Sequence, residues 1–117
     1  MKTKSKQAKL KRKSEFRYHK QITIKKNGKI TKLIHPAYII FEKGNIYIYV
    51  SITHSKNVEN MIVIKLRKNP NPNDTQSSYY IDEIKEDTKD KFGSRHKNWI
   101  IDIEDDIEIR EKIKKKR

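Results

Sequence analysis

AYIIFEKGNIYIYVSI, residues 37–52, decides the fold. Two runs rich in β-branched and aromatic residues flank Gly44-Asn45, a pair suited to a tight hairpin turn. Along the second run Ile46, Ile48, Val50 and Ile52 alternate with Tyr47, Tyr49, Ser51 and Thr53. Successive strand side chains point to opposite faces, so this strand is expected to lay an aliphatic face on a core. Its Tyr/Ser/Thr face is expected to be half-wet and functional. Just upstream, Pro36 biases His35 toward an extended backbone.

Working outward, QITIKKNGKITKLIH (21–35) reads as a second hairpin turning at Asn27-Gly28. A two-residue loop would set Ile24 opposite Thr31. A three-residue loop with Gly28 left-handed sets Ile24 opposite Ile30, and is preferred because it gathers apolar side chains on one face. Either way the turn presents Lys25, Lys26 and Lys29. Before it, residues 1–18 show no hydrophobic periodicity, with Leu10 and Phe16 isolated. Residues 1–19 therefore read as a disordered basic tail, densest at Lys11-Arg12-Lys13. Such an arm seeks anions through counterion release, without sequence preference.

Downstream, MIVIKLR (61–67) and SYYIDEI (78–84) read as strands, separated by an Asn-Pro-rich loop that disfavours helix and sheet. Residues 85–98 read as a polar loop containing Gly93. NWII (98–101) reads as a short strand or anchor, with Trp99 available to plug a core. The chain ends in a helix, 102–116. Asp102 is its N-cap, acids fill the first turn and bases the later ones, as the helix dipole favours. Ile103, Ile107 and Ile113, with the Arg110 stem, make its apolar stripe. Short strands followed by one helix, without βαβ alternation, indicate a mainly β class. The expectation is one domain over 20–117, a small β-barrel or sharply bent sheet capped by the helix.

Charge is segregated. The 117 residues carry a formal net charge of +14, of which residues 1–34 hold +12 and residues 110–117 hold +5, leaving the middle at −3. The basicity thus belongs to the ends and fits a polyanionic partner. No apolar run approaches a membrane span, and the basic N-terminus lacks the apolar stretch of a secretory signal. A cytoplasmic protein without a membrane partner is the expectation. The absence of cysteine excludes disulfides, iron–sulfur clusters and thiolate zinc sites. Four histidines without metal-ligand spacing leave neither a metal site nor a cofactor expected. Phosphate-binding loops, dinucleotide fingerprints and nucleophile elbows are also missing.

What remains is chemistry from His, Thr/Ser, Asp, Arg and Tyr. His35 precedes the central hairpin, Thr53-His54-Ser55 closes it, Asp82 lies on the Tyr80 side of its strand, and Arg95-His96 sits in a polar segment. Imidazole, hydroxyl and carboxylate suit metal-independent phosphoryl transfer on RNA. A neutral imidazole takes the 2′-hydroxyl proton, an acid protonates the leaving 5′-oxygen, and Thr and Arg donors stabilise the phosphorane. Candidate catalytic residues are His35, Thr53, His54 and Asp82. Candidate nucleic-acid contacts are Lys11, Arg12, Lys13, Lys25, Lys26, Lys29, Tyr47, Tyr49, Ser55, Arg67, Tyr80 and Arg95.

The order of pieces resembles the MazF/PemK-type toxins, endoribonucleases of toxin–antitoxin pairs. His35-Pro36-Ala37-Tyr38-Ile39-Ile40 stands where that family has an Arg-Pro opening a hydrophobic strand. Ile52-Thr53-His54-Ser55 matches its Thr-Ser strand end, and Ser78-Tyr79-Tyr80-Ile81-Asp82-Glu83-Ile84 its Ser…(Asp/Glu)-x-Ile strand. The resemblance implies an SH3-like barrel, usually a homodimer, that cleaves single-stranded RNA without metal and is neutralised by a small acidic antitoxin. By position, His35 would replace the catalytic Arg, Thr53 would contact phosphate, and Asp82 would be the strand carboxylate. The alternative is a non-catalytic nucleic-acid-binding or protein adaptor module, of a mobile element or phage.

Overall fold

The computed structural model describes residues 9–10, 15–24 and 26–116. The other residues, including Lys11, Arg12, Lys13, Lys25 and most of the expected disordered tail, lie outside the described residues. The strands are β1 (Lys9–Leu10), β2 (Phe16–Ile24), β3 (Ile30–Lys43), β4 (Ile46–Thr53), β5 (Val63–Lys65), β6 (Tyr79–Ile81), β7 (Lys85–Thr88) and β8 (Phe92–Arg95). Among the described residues one α-helix, α1 (Ile103–Lys116), follows the strands.

The strands form one antiparallel sheet running β5-β6-β4-β3-β2-β8, with β1 added to β3 and β7 to β4. The mainly β architecture with a C-terminal helix is as the pattern indicates, but the barrel is not closed. Among the described residues no ladder joins β5 to β8. With three residues each, β5 and β6 are too short to carry the curl further round, and α1 covers the core instead.

Both hairpins turn where expected, and the Asn27-Gly28 hairpin takes the expected register. Lys43 pairs with Ile46 around Gly44-Asn45. Ile24 pairs with Ile30 around a turn where Gly28 is left-handed, φ 82°. The Lys29 N–H donates to Asn27 Oδ1 there, closing the turn locally. In β3 a bulge between Ile39 and Phe41 shifts the pairing with β4, which bends the strand.

The β3–β4 pair is buried on both faces along Tyr47–Val50, which corrects the half-wet reading of the two tyrosines, while Ser51 and Thr53 are half-buried as expected. One face joins Phe16, Tyr38, Ile40, Val50, Ile52, Leu66, Tyr80, Ile101, Ile109 and Ile113 in the main core, with Trp99 packed against it. The other joins Ala37, Ile39, Tyr47 and Tyr49 beneath Phe92. That cover comes from residues 85–98, expected as a polar loop. KEDT pairs with β4 from Ile46 to Tyr49, and FGSR pairs with β2. Neither has a strand-like apolar pattern, so open backbone edges on β4 and β2 decide the outcome rather than propensity. Conversely, 61–67 is strand only at Val63–Lys65, with Met61 and Ile62 exposed, and 98–101 is not a strand.

The N-terminal boundary also moves. Phe16 was expected in the tail, yet it is fully buried and stacks on Tyr38 at 4.7 Å. Glu15, also buried, accepts from Arg17 Nε at 2.9 Å, and its carbonyl accepts from the Ile39 N–H. The globular part therefore includes residues 15–19. Phe16→Ala is expected to cost about 3–5 kcal/mol, read as a lower urea midpoint. A loss under about 1 kcal/mol would return Phe16 to the tail.

In α1 the Asp102 cap is as expected: Oδ2 accepts from the N–H groups of Glu104 (3.0 Å) and Asp105 (3.3 Å). Of the apolar stripe, Ile113 is buried as expected but Ile103 and Ile107 are not. Ile103 and Ile107 are exposed at 57% and 50%, while Asp105, Asp106, Ile109 and Ile113 face inward. Two buried carboxylates outrank two isoleucines because each has strong donors waiting. Asp105 accepts from the Arg67 backbone N–H and guanidinium. Asp106 accepts from the Tyr38 hydroxyl and from Arg110.

Candidate nucleic-acid interface

The β2–β3 ribbon outruns the sheet. The last partners of β2 on its other edge are Arg17 and His19, paired to β8, and β3 meets β4 only from Ala37 onward. From Lys20↔Ile34 to Ile24↔Ile30 the two strands therefore pair only with each other. At ~3.4 Å per residue this is an arm of roughly 15 Å before its turn. Lys20, Lys26, Lys29 and Lys32 are exposed along it, together with Ile30, Leu33 and Ile34.

Register assigns the faces of the ribbon. Phe16 and Tyr38 point into the main core, so Tyr18, Lys20, Ile30, Lys32, Ile34 and Pro36 share that side by alternation. At its base this side runs into a cavity of about 450 Å³, whose lining includes Tyr18, Thr53, His54, Asn71, Ser78 and Trp99. His54 Nε2 lies 2.5 Å from Asp74 Oδ2. The Asp74 carboxyl is held below its usual range by the Gln76 N–H and then by His54. His96 lies flat on Trp99 (centroids 4.5 Å, 20°) and meets Tyr18 at 4.3 Å and 83°. Burial lowers the His96 pKa, which favours its neutral ring.

The expected catalytic set is gathered only in part. Thr53, His54 and Ser55 border the cavity together. His35 borders it too, but it pairs with His19 and flanks Ala37 in the register, which aims its side chain at the other face of the ribbon. Asp82 lines no part of it and lies 3.8 Å from Lys112 of α1. Asp74 supplies the carboxylate instead, from a loop whose distance of 20 residues from His54 gave no sequence signal.

Several expected RNA contacts are otherwise engaged. Tyr47 is buried between the Arg17 and Lys89 cations. Tyr80 is buried with its hydroxyl donating to Glu108, and burial followed by that bond raises its pKa. Arg67 is tied to Asp105 and Glu108, and Arg95 lies 3.7 Å from buried Glu15. Lys26, Lys29 and Ser55 remain exposed.

Sequence reasoning missed His19, which the structure makes a hub. It is buried, stacks on Phe92 at 4.6 Å, and places Nε2 2.8 Å from Asp87 and Nδ1 3.3 Å from the Tyr49 hydroxyl. Burial, then Asp87 and Glu83, push the Tyr49 phenol up to about 12, so it donates to Nδ1. Nε2 then carries the proton that Asp87 accepts. Both ring nitrogens are thus spent on joining β2 to β4 and β7, a structural role.

Burial opposes the Asp87 charge, but the His19 and Thr88 hydrogen bonds and Lys91 outweigh it and set its pKa below 3.8. Asp74 is shifted the same way. Carboxylates with depressed folded-state values stabilise fully above the unfolded value and lose that contribution as pH falls through the folded one. Thermal melts from about pH 5 to about pH 2 should show a falling Tm below about pH 4, with a shallower fall in Asp87→Asn. An unchanged slope in that variant would remove Asp87 from the account.

Among the described residues no helix is long and apolar enough to cross a membrane. No protein-family model, curated protein or solved structure matches the chain.

Proposed function

We propose that this chain is a cytoplasmic RNA-binding protein that grips the phosphate backbone with its β2–β3 ribbon and does not cleave it. The observation that carries this reading is the free-standing arm with Lys20, Lys26, Lys29 and Lys32 exposed along it. Lysines on a narrow ribbon reach successive phosphates of a polyanion, and each contact releases condensed counterions. The +12 charge of residues 1–34 supports the same assignment. The non-catalytic part rests on the placement of Asp82 away from the cavity that His35 and His54 border, and on a lining that among the described residues holds no Lys or Arg to stabilise a phosphorane.

The test is fluorescence anisotropy of labelled RNA across a salt series, with EDTA present and the RNA recovered afterwards. Affinity should fall steeply with salt and the RNA should remain intact. Cleavage to 2′,3′-cyclic ends, abolished by His54→Ala in a folded protein, would restore the toxin-type nuclease. Binding that ignores salt would remove the ribbon as the seat of affinity.

A further inference from the structure

The cavity at the foot of the ribbon has the build of a base pocket, and we infer that it takes one unpaired uracil in preference to adenine, cytosine or guanine. This rests on the RNA-binding reading above, since the ribbon delivers the strand. The volume, about 450 Å³, falls within the roughly 300–1,000 Å³ of small-molecule sites. Tyr18, 43% exposed, and Trp99 supply aromatic wall, and His96 braces both rings from behind. Aromatic side chains accept any base face, and a base can reach them only when unpaired.

The polar lining sets the preference. Asn71 Oδ1 is spent on the Asn73 N–H, so the amide NH₂ is the part left to donate. Thr53 Oγ1 accepts from the Ser55 N–H, which leaves its hydroxyl proton available. His54 Nε2 faces the Asp74 carboxylate and carries a proton there, so in the neutral ring Nδ1 is an acceptor. These two donors and one acceptor complement an edge of two carbonyl oxygens flanking a ring N–H, and uracil carries that edge. Adenine and cytosine put an amino group and an unprotonated ring nitrogen there, and guanine an amino group in place of the second carbonyl, which would leave donors facing donors.

Trp99 is the chain's single tryptophan and reports on the pocket directly. Titrating the full chain with each ribonucleoside monophosphate should quench Trp99, with UMP at least about tenfold tighter than AMP, CMP and GMP. Single-stranded RNA should quench it, while duplex RNA should bind by anisotropy and leave it bright. Asn71→Asp keeps the turn acceptor and removes the donor, so it should erase the uracil preference while the fold, read by circular dichroism, persists. RNA binding by anisotropy without any Trp99 response, or equal quenching by all four monophosphates, would overturn the base pocket and leave the ribbon reading intact. Quenching by monophosphates with no RNA binding at all would support the pocket and overturn the ribbon reading.

Discussion

Replacing Lys20, Lys26, Lys29 and Lys32 together with glutamine is expected to weaken RNA binding by about 10²–10³ at about 0.1 M salt. Each phosphate contact on a single strand releases about 0.7 of a counterion, worth about fivefold at that salt, so four contacts compound to this range. The slope of log affinity against log salt should also become shallower by about 3. The decisive control removes equal charge elsewhere. Lys43, Lys56, Lys97 and Lys114 are exposed and lie off the arm, so converting them to glutamine changes the net charge identically. If both quadruple variants lose affinity equally, total charge drives binding and the ribbon holds no special place. All eight side chains face water, so the fold should survive in both.

Asp105→Ala is expected to lower stability by about 2–4 kcal/mol, the largest effect of any single change in α1. The carboxylate is 1% exposed and accepts from the Arg67 N–H at 2.9 and 3.1 Å and from the guanidinium at 2.8 Å. Its removal strands the backbone donor against the helix and severs the link between α1 and the chain leaving β5. The guanidinium itself is half exposed, so water screens its share and the loss falls below that of a fully buried pair. Ile107→Ala, only two residues further on, should stay within about 0.5 kcal/mol. Urea denaturation of both variants checks the contrast. Equal midpoints would mean that the isoleucine stripe, not the carboxylate face, holds α1 to the sheet.

That contrast shows where sequence reading stopped. Periodicity alone assigns Ile103 and Ile107 to the core, because apolar spacing carries no information about which polar residues will find donors. The donors for Asp105 and Asp106 come from Arg67 and Tyr38, 38 and 68 residues away. The same blindness placed Tyr47 and Tyr49 at a half-wet surface. Their cover, Phe92, arrives on a strand whose sequence, FGSR, has almost no β signal. Of the candidate site, Thr53-His54-Ser55 and the Lys26/Lys29 turn were legible as local clusters. His19, Asp74 and the aiming of His35 were not, since each depends on a partner brought up by the sheet.

The chain's own order of residues determined the two hairpins, the register of the Asn27-Gly28 one, the capped C-terminal helix, the mainly β class and the concentration of charge at the ends. These follow from interactions between near neighbours: turn glycines, side-chain alternation and a cap. Tertiary structure alone decided that the sheet stays open, that the tyrosine face is buried, that the helix turns its acids inward, and that Asp82 lies away from the cavity His35 and His54 border. Those outcomes depend on backbone edges and buried donors meeting across long sequence distances, where burial free energy outweighs local preference.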